Sequence, residues 1–257
     1  MTLLRARNLT RRYRLPRTRL LGKTPHVTAV DDVSFEIAAG RTLGVVGESG
    51  SGKSTLARMA MAFEAPDAGQ VAFEGQDIHA LKPAALRRLR PAFQMIFQDP
   101  FSSLDPRRVV GWSIAEPLRA MGIRAPERVR EAFEQVGLHP RDGGKYPHEF
   151  SGGQRQRIAI ARAIVTRPRL LIADEAVSAL DVSVQAQILN LLMDLQDDLG
   201  IGILFISHDL AVVASICDTL LVLQHGKVLE YGAASDILNA PAHSYTRSLL
   251  KAAGDRM

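Results

Sequence analysis

The segment Gly47-Glu48-Ser49-Gly50-Ser51-Gly52-Lys53-Ser54 decides how the rest of this chain is read. It follows an apolar run, Thr42 to Val46, suited to a buried strand, and precedes a stretch in which Leu56, Met59, Ala60 and Phe63 recur at helical spacing. The pattern G-x-x-x-x-G-K-S between strand and helix is that of a phosphate-binding P-loop. Glycine allows the backbone to approach a phosphate because no side chain stands in the way. The N–H groups that open the helix have no intrahelical acceptor, and the helix dipole adds positive potential there. Lys53 is then placed to reach the outer phosphates, and the Ser54 hydroxyl to ligate magnesium. The bland alternative is a glycine-rich surface loop, against which the strand–helix setting argues.

Composition bounds the rest. A chain of 257 residues, 46% hydrophobic, suits one large domain or a domain carrying a subdomain. The single cysteine, Cys217, excludes an internal disulfide and a cysteine-ligated iron–sulfur cluster, and reads as a small packed residue. Met1 to Leu4 lacks the apolar core of a signal peptide, and no run of about 18 apolar residues offers a membrane span. These features predict a soluble, cytoplasmic chain. The net charge is +5, with Arg5, Arg7, Arg11, Arg12, Arg14, Arg17 and Arg19 crowded near the start. That segment has no nucleic-acid-binding motif and only Tyr13 as a stacking aromatic, so it reads as a solvated edge with no nucleic-acid partner.

Two strands are expected over Leu3–Leu15 and Val27–Ile37, the second alternating Val33, Phe35 and Ile37 with Ser34 and Glu36. Val71-Ala72-Phe73 and Met95-Ile96-Phe97 read as further short strands. From Val109 to Gly137 the pattern turns helical, with Pro126 suited to a first helical position. Ile158, Ala161 and Ile164 mark another helix after Ser151-Gly152-Gly153-Gln154. An alternating αβ rhythm returns with Leu170–Ala173, the helical stripe from Val184 to Leu199, the apolar Ile203–Ile206, a hairpin about His225-Gly226 and two short C-terminal helices. Buried strands alternating with helices predict an α/β fold with a mainly parallel sheet, an N-terminal antiparallel portion and an inserted helical block.

Other groups carry chemistry. Leu170–Ala173 delivers Asp174 and Glu175 at a strand's C-terminal end, the edge where open α/β sheets bind ligands. Asp174 suits magnesium and Glu175 an attacking water, although an acidic pair at a strand end is by itself ordinary. Ser151 is a plausible N-cap, and Gly152, Gly153 and Gln154 open either a second anion site or simply a helix.

The P-loop, Gln98, Ser151–Gln154, Asp174-Glu175, Ser178-Ala179-Leu180-Asp181 and His208 stand in the order found in ABC-type ATPases, and the chain resembles that family over essentially its whole length. It is most similar to the ATP-binding subunits of peptide/nickel importers. Phe97 to Arg107, Tyr146 to Phe150 and Asp181 to Gln187 carry that likeness, with His243-Ser244-Tyr245-Thr246 as a weaker match. Ala176 and Val177 depart from the commonest family residues but occur within that branch.

The resemblance implies a single ABC ATPase domain over residues 1–257. A RecA-like P-loop NTPase core plus antiparallel β subdomain would occupy 1–95 and 165–257, and a helical signature subdomain about 99–164. It implies ATP and magnesium as cofactors. Gly47, Glu48, Ser49, Gly50, Ser51, Gly52, Lys53, Ser54 and Thr55 would cradle the nucleotide, Tyr13 would stack on adenine, and Ser151, Gly152, Gly153, Gln154 and Asp181 would meet ATP held by a second subunit. Glu175, His208 and Gln98 would be catalytic, with Ser54, Gln98 and Asp174 at the metal. The implied partners are a second ATPase subunit (a different chain more readily than a copy), two membrane permeases and, indirectly, a solute-binding protein. The chain would work at the cytoplasmic face of the inner membrane, driving uptake of peptides, nickel or a related solute. The alternative is a non-transport ATPase accessory to a soluble complex such as phosphonate carbon–phosphorus lyase.

Overall fold

The computed structural model describes residues 1–15, 25–99 and 103–254. The chain forms two compact units, Met1–Lys82 with Phe205–Met257, and Pro83–Leu204.

In the first unit, β1 (Thr2–Arg14) and β2 (His26–Ala38) pair antiparallel, and β4 (Ala68–Phe73) and the two-residue β5 (Gln76–Asp77) complete a sheet of order β2-β1-β4-β5. Val33, Phe35 and Ile37 are buried while Ser34 and Glu36 face outward, as period-two alternation requires. The early arginines of β1 are partly spoken for by acids: Arg5 pairs with Glu36, and Arg11 with Glu64 and Asp67. Arg17 and Arg19 lie outside the described residues. A second set of strands holds β3 (Thr42–Val46), every residue buried, beside β9 (Thr219–Gln224) in parallel, with β10 (Lys227–Ala233) antiparallel to β9.

Helix α1 (Lys53–Ala60) follows β3 and buries Leu56, Ala57, Met59 and Ala60. It ends sooner than the apolar spacing suggests. Ala62 takes a positive φ of 50°, which turns the chain out of the helix and leaves Phe63 exposed instead of on the helical stripe.

The second unit opens with α2 (Pro83–Leu89), which buries no residue and therefore left no apolar periodicity to read. Strand β6 (Phe93–Ile96) runs parallel to β7 (Leu170–Asp174). It stops at Ile96, so Phe97 lies beyond the strand and is exposed. Between these strands come α3 (Val110–Ala120), α4 (Pro126–Gln135, with Pro126 in its first turn) and α5 (Gly152–Ile164). Helix α5 is the hub of the unit: it contacts α3, α4, β6 and α6 (Val182–Leu199). Its Ile158, Ile160 and Ile164 are buried, and Arg162 donates to the Ser103 carbonyl at 2.6 Å and to Glu116 at 2.9 Å. Strand β8 (Gly202–Ser207) is buried throughout, its last three residues belonging to the first unit. Helices α7 (Leu210–Ile216), α8 (Ala234–Asn239) and α9 (Ser244–Gly254) finish the first unit. The class is α/β, with parallel strand pairs and a separate antiparallel N-terminal sheet.

Two expectations follow. Leu56 has no exposed surface, so Leu56→Ala should cost about 2–5 kcal/mol in urea unfolding. Burial, aided by Asp218, pushes the Cys217 thiol far up from its ordinary value, leaving little thiolate at neutral pH. Iodoacetamide at pH 8 should therefore modify Cys217 slowly in the folded chain and rapidly in urea, read by mass spectrometry.

Candidate functional site

The P-loop leaves β3 at Gly47 and enters α1 through Gly52, which caps the helix in a left-handed conformation at φ 108°. A Cβ at Gly52 would lie 2.2 Å from the Ala29 carbonyl oxygen of β2, so only glycine lets the loop sit this close to its neighbour. Lys53, at 5% exposure, donates from Nζ to the carbonyls of Gly47 at 2.6 Å and Glu48 at 2.9 Å. The ammonium is thereby held inside the curl of the loop. Ser51 Oγ is buried, with no hydrogen-bond partner among the described residues. A helix N-terminus, a buried ammonium and an orphaned hydroxyl in one loop suit an anion with several oxygens. Ser54 and Thr55 fall in the first turn of α1.

Tyr13, on β1, donates its hydroxyl proton to Glu64 at 2.7 Å and lies 3.4 Å from Thr55 Oγ1, which brings it to the P-loop helix. The Arg11 guanidinium covers one face of its ring at 5.2 Å. His208 is exposed just past β8, and the following Asp209 caps α7 by accepting from the Ala211 and Val212 N–H groups. A contact absent from the sequence reading joins this set: the Glu48 N–H donates to the Tyr245 hydroxyl at 3.0 Å, from the first turn of α9. Its only advance signal was the His243–Thr246 motif, which carries no chemistry at a distance of almost two hundred residues from the P-loop.

In the second unit, β7 ends at Asp174, and Glu175 takes a φ of 50°. A non-glycine residue in this left-handed region is uncommon. Ser178 folds back on it, donating from both N–H and hydroxyl to the Glu175 carbonyl. Gln98 Nε2 reaches Ser178 Oγ at 3.5 Å, so Gln98 joins the Asp174–Glu175 turn. Pro100 to Ser102, within the family-like Phe97–Arg107 stretch, lies outside the described residues.

Ser151 caps α5: its hydroxyl accepts from the Gln154 N–H at 3.3 Å, and the Gln154 side chain accepts from the Ser151 N–H at 3.0 Å. A Cβ on Gly153 would lie 2.5 Å from Val184 Cγ1, so glycine here allows α5 its close approach to the start of α6. Asp181 caps α6. The Val184 N–H foremost, then the Ser183 hydroxyl, holds its carboxyl below the usual carboxylate range. Among the described residues no cluster of three or more His, Cys, Asp or Glu could cage a metal. The available donors are hydroxyl, amide and carboxylate oxygens, hard ligands that suit magnesium held jointly with substrate phosphates.

Fold and loop together define a P-loop α/β protein. The model of the ABC transporter family matches residues 30–178. The chain belongs to that family. The glutathione import ATP-binding protein GsiA of Escherichia coli (strain K12) is 52% identical over 97% of this chain, and that of Pectobacterium atrosepticum 49% identical over 97%. The chain spans 41% of the length of these relatives. Among solved structures, CbiO1 from Clostridium perfringens, part of the ABC transporter complex CbiONQ, superposes with a TM-score of 0.79 at 27% identity, covering 93% of this chain and 91% of its own. A dimeric ATP-binding cassette in a post-hydrolysis state with ADP and Pi superposes at 0.78 and 25% identity, covering 90% of this chain and 99% of its own.

Gly52→Ala should abolish ATP binding in titration calorimetry, because the added methyl collides with backbone that has no freedom to move aside.

Proposed function

We propose that this chain binds and hydrolyses ATP as the nucleotide-binding subunit of an importer for small peptide-like solutes. The observation that carries the reading is the P-loop itself, with Lys53 held among its carbonyls and Ser51 Oγ awaiting an acceptor or donor. Lys53 and the N–H groups opening α1 bind the β- and γ-phosphates, Thr55 continues the cradle from the first turn of α1, and Tyr13 stacks on the adenine. Ser54, Asp174 and Gln98 supply oxygens to magnesium, which when bound neutralises charge on the phosphates. Glu175 orients and deprotonates the water that attacks the γ-phosphorus in line, and His208 steadies the γ-phosphate. The bond between the γ-phosphorus and the bridging oxygen breaks as that to water forms, giving ADP and phosphate.

Ser151 to Gln154 and Asp181 close over ATP held by a second ATPase subunit, a reading supported by the dimeric cassette among the structural neighbours. We take the second subunit to be a different chain. Two permeases complete the importer at the cytoplasmic face of the membrane, a reading supported by the likeness to import ATP-binding proteins. The likeness to glutathione import ATP-binding proteins favours a peptide-like cargo over nickel.

Glu175→Gln in the assembled complex should retain ATP binding and lose about a hundredfold or more in hydrolysis; a wild-type rate would show that Glu175 is not the base. Deleting this chain should abolish uptake of labelled glutathione or short peptides. Recovery of soluble lyase subunits in place of permeases on affinity purification would overturn the importer reading.

A further inference from the structure

We propose that Tyr245 is a positioning residue for the nucleotide: through its hydroxyl, helix α9 sets the conformation in which the P-loop holds Lys53. The inference rests on the ATP-binding reading above. The Gly47–Glu48 segment is gripped from two directions. Lys53 Nζ takes the carbonyls of Gly47 and Glu48, while the Glu48 N–H is taken by Tyr245 Oη at 3.0 Å. Fixing that N–H restricts rotation of the peptide plane it shares with the Gly47 carbonyl, one of the two oxygens that direct the ammonium.

Tyr245 is itself anchored. His243 Nδ1 accepts the Tyr245 N–H at 3.1 Å, and the His243 carbonyl accepts from the Arg247 N–H at 3.2 Å, so His243 caps α9. Glu230 of β10 accepts from the N–H groups of His243 at 2.8 Å and Ala242 at 3.1 Å. Arg247 closes the turn onto the carbonyls of Pro241 and Ala242, and Thr246 is fully buried. An unbroken line of hydrogen bonds thus runs from β10 through the helix cap to the P-loop. Burial pushes the Tyr245 hydroxyl up from its ordinary value, so it stays neutral across the working range of pH. Helix α9 also packs on α7, the helix that begins just after His208. One C-terminal helix therefore braces both phosphate-facing segments of the first unit, which gives the His243-Ser244-Tyr245-Thr246 sequence a physical task.

Tyr245→Phe keeps the ring and removes the acceptor. In the full chain it should raise the dissociation constant for ATP about three- to tenfold by loosening the loop, and lower the thermal midpoint of the nucleotide-free chain by about 2–4 °C, the size that one lost hydrogen bond carries. His243→Ala, which uncaps α9, should act in the same direction, and the double variant should fall short of the sum because both changes act through one contact. Amide hydrogen exchange on the unaltered, nucleotide-free chain provides a test that needs no variant: Glu48 is an exposed residue, yet its N–H should be protected. A wild-type ATP dissociation constant for Tyr245→Phe, or an unprotected Glu48 amide, would overturn this inference and leave the ATP-binding reading intact. Failure of the unaltered chain to bind ATP would overturn both.

Discussion

The grip of Lys53 on the Gly47 and Glu48 carbonyls is the interaction on which this structure turns. An ammonium left at 5% exposure without partners would be costly, and two backbone oxygens meet that cost only while the loop keeps its curl. The curl in turn depends on Gly52, whose missing side chain lets the loop lie against Ala29 of β2, and on β3, every residue of which is buried. A positive charge held at the mouth of a helix suits the binding of a polyphosphate.

The second unit meets a different requirement, which is to place two carboxylates at the end of a buried strand. Strand β7 is buried up to Ala173 and delivers Asp174 and Glu175 where the strand stops. Glu175 is forced into a left-handed conformation, and the Ser178 donors stabilise the turn through its carbonyl. The same unit uses its helix N-termini economically. Ser151 and Asp181 each satisfy N–H groups of their own helix, and Gly153 lets the two helices approach closely. A helix start that is capped by its own side chain still presents the remaining first-turn N–H groups outward.

Much of this was legible in the residues because it is written in local rules. Strand β3, helix α1, the cap at Ser151 and the hairpin at His225-Gly226 follow from apolar runs, glycine placement and capping chemistry within a few neighbours. The misreadings have equally local causes. Phe63 fits the helical stripe arithmetically, but the backbone leaves the helix at Met61 and Ala62. Phe97 continues an apolar run that its strand does not, and α2 buries nothing, so no periodicity announced it. Helix α7 is seven residues long, too short to show a stripe, although Asp209 was available as its cap.

By itself the sequence determined the α/β class, the P-loop and its phosphate chemistry, and the acidic pair at the end of β7, since each depends on spacing along a few residues. Only the tertiary structure decided that Tyr13 reaches Thr55 and Glu64, that Gln98 reaches Ser178, and that Tyr245 takes the Glu48 N–H. These are single hydrogen bonds between residues 42 to 197 positions apart. A hydroxyl or amide at such a distance leaves no periodic mark in the chain; its partner is chosen by how strands and helices pack, and packing is a property of the whole fold.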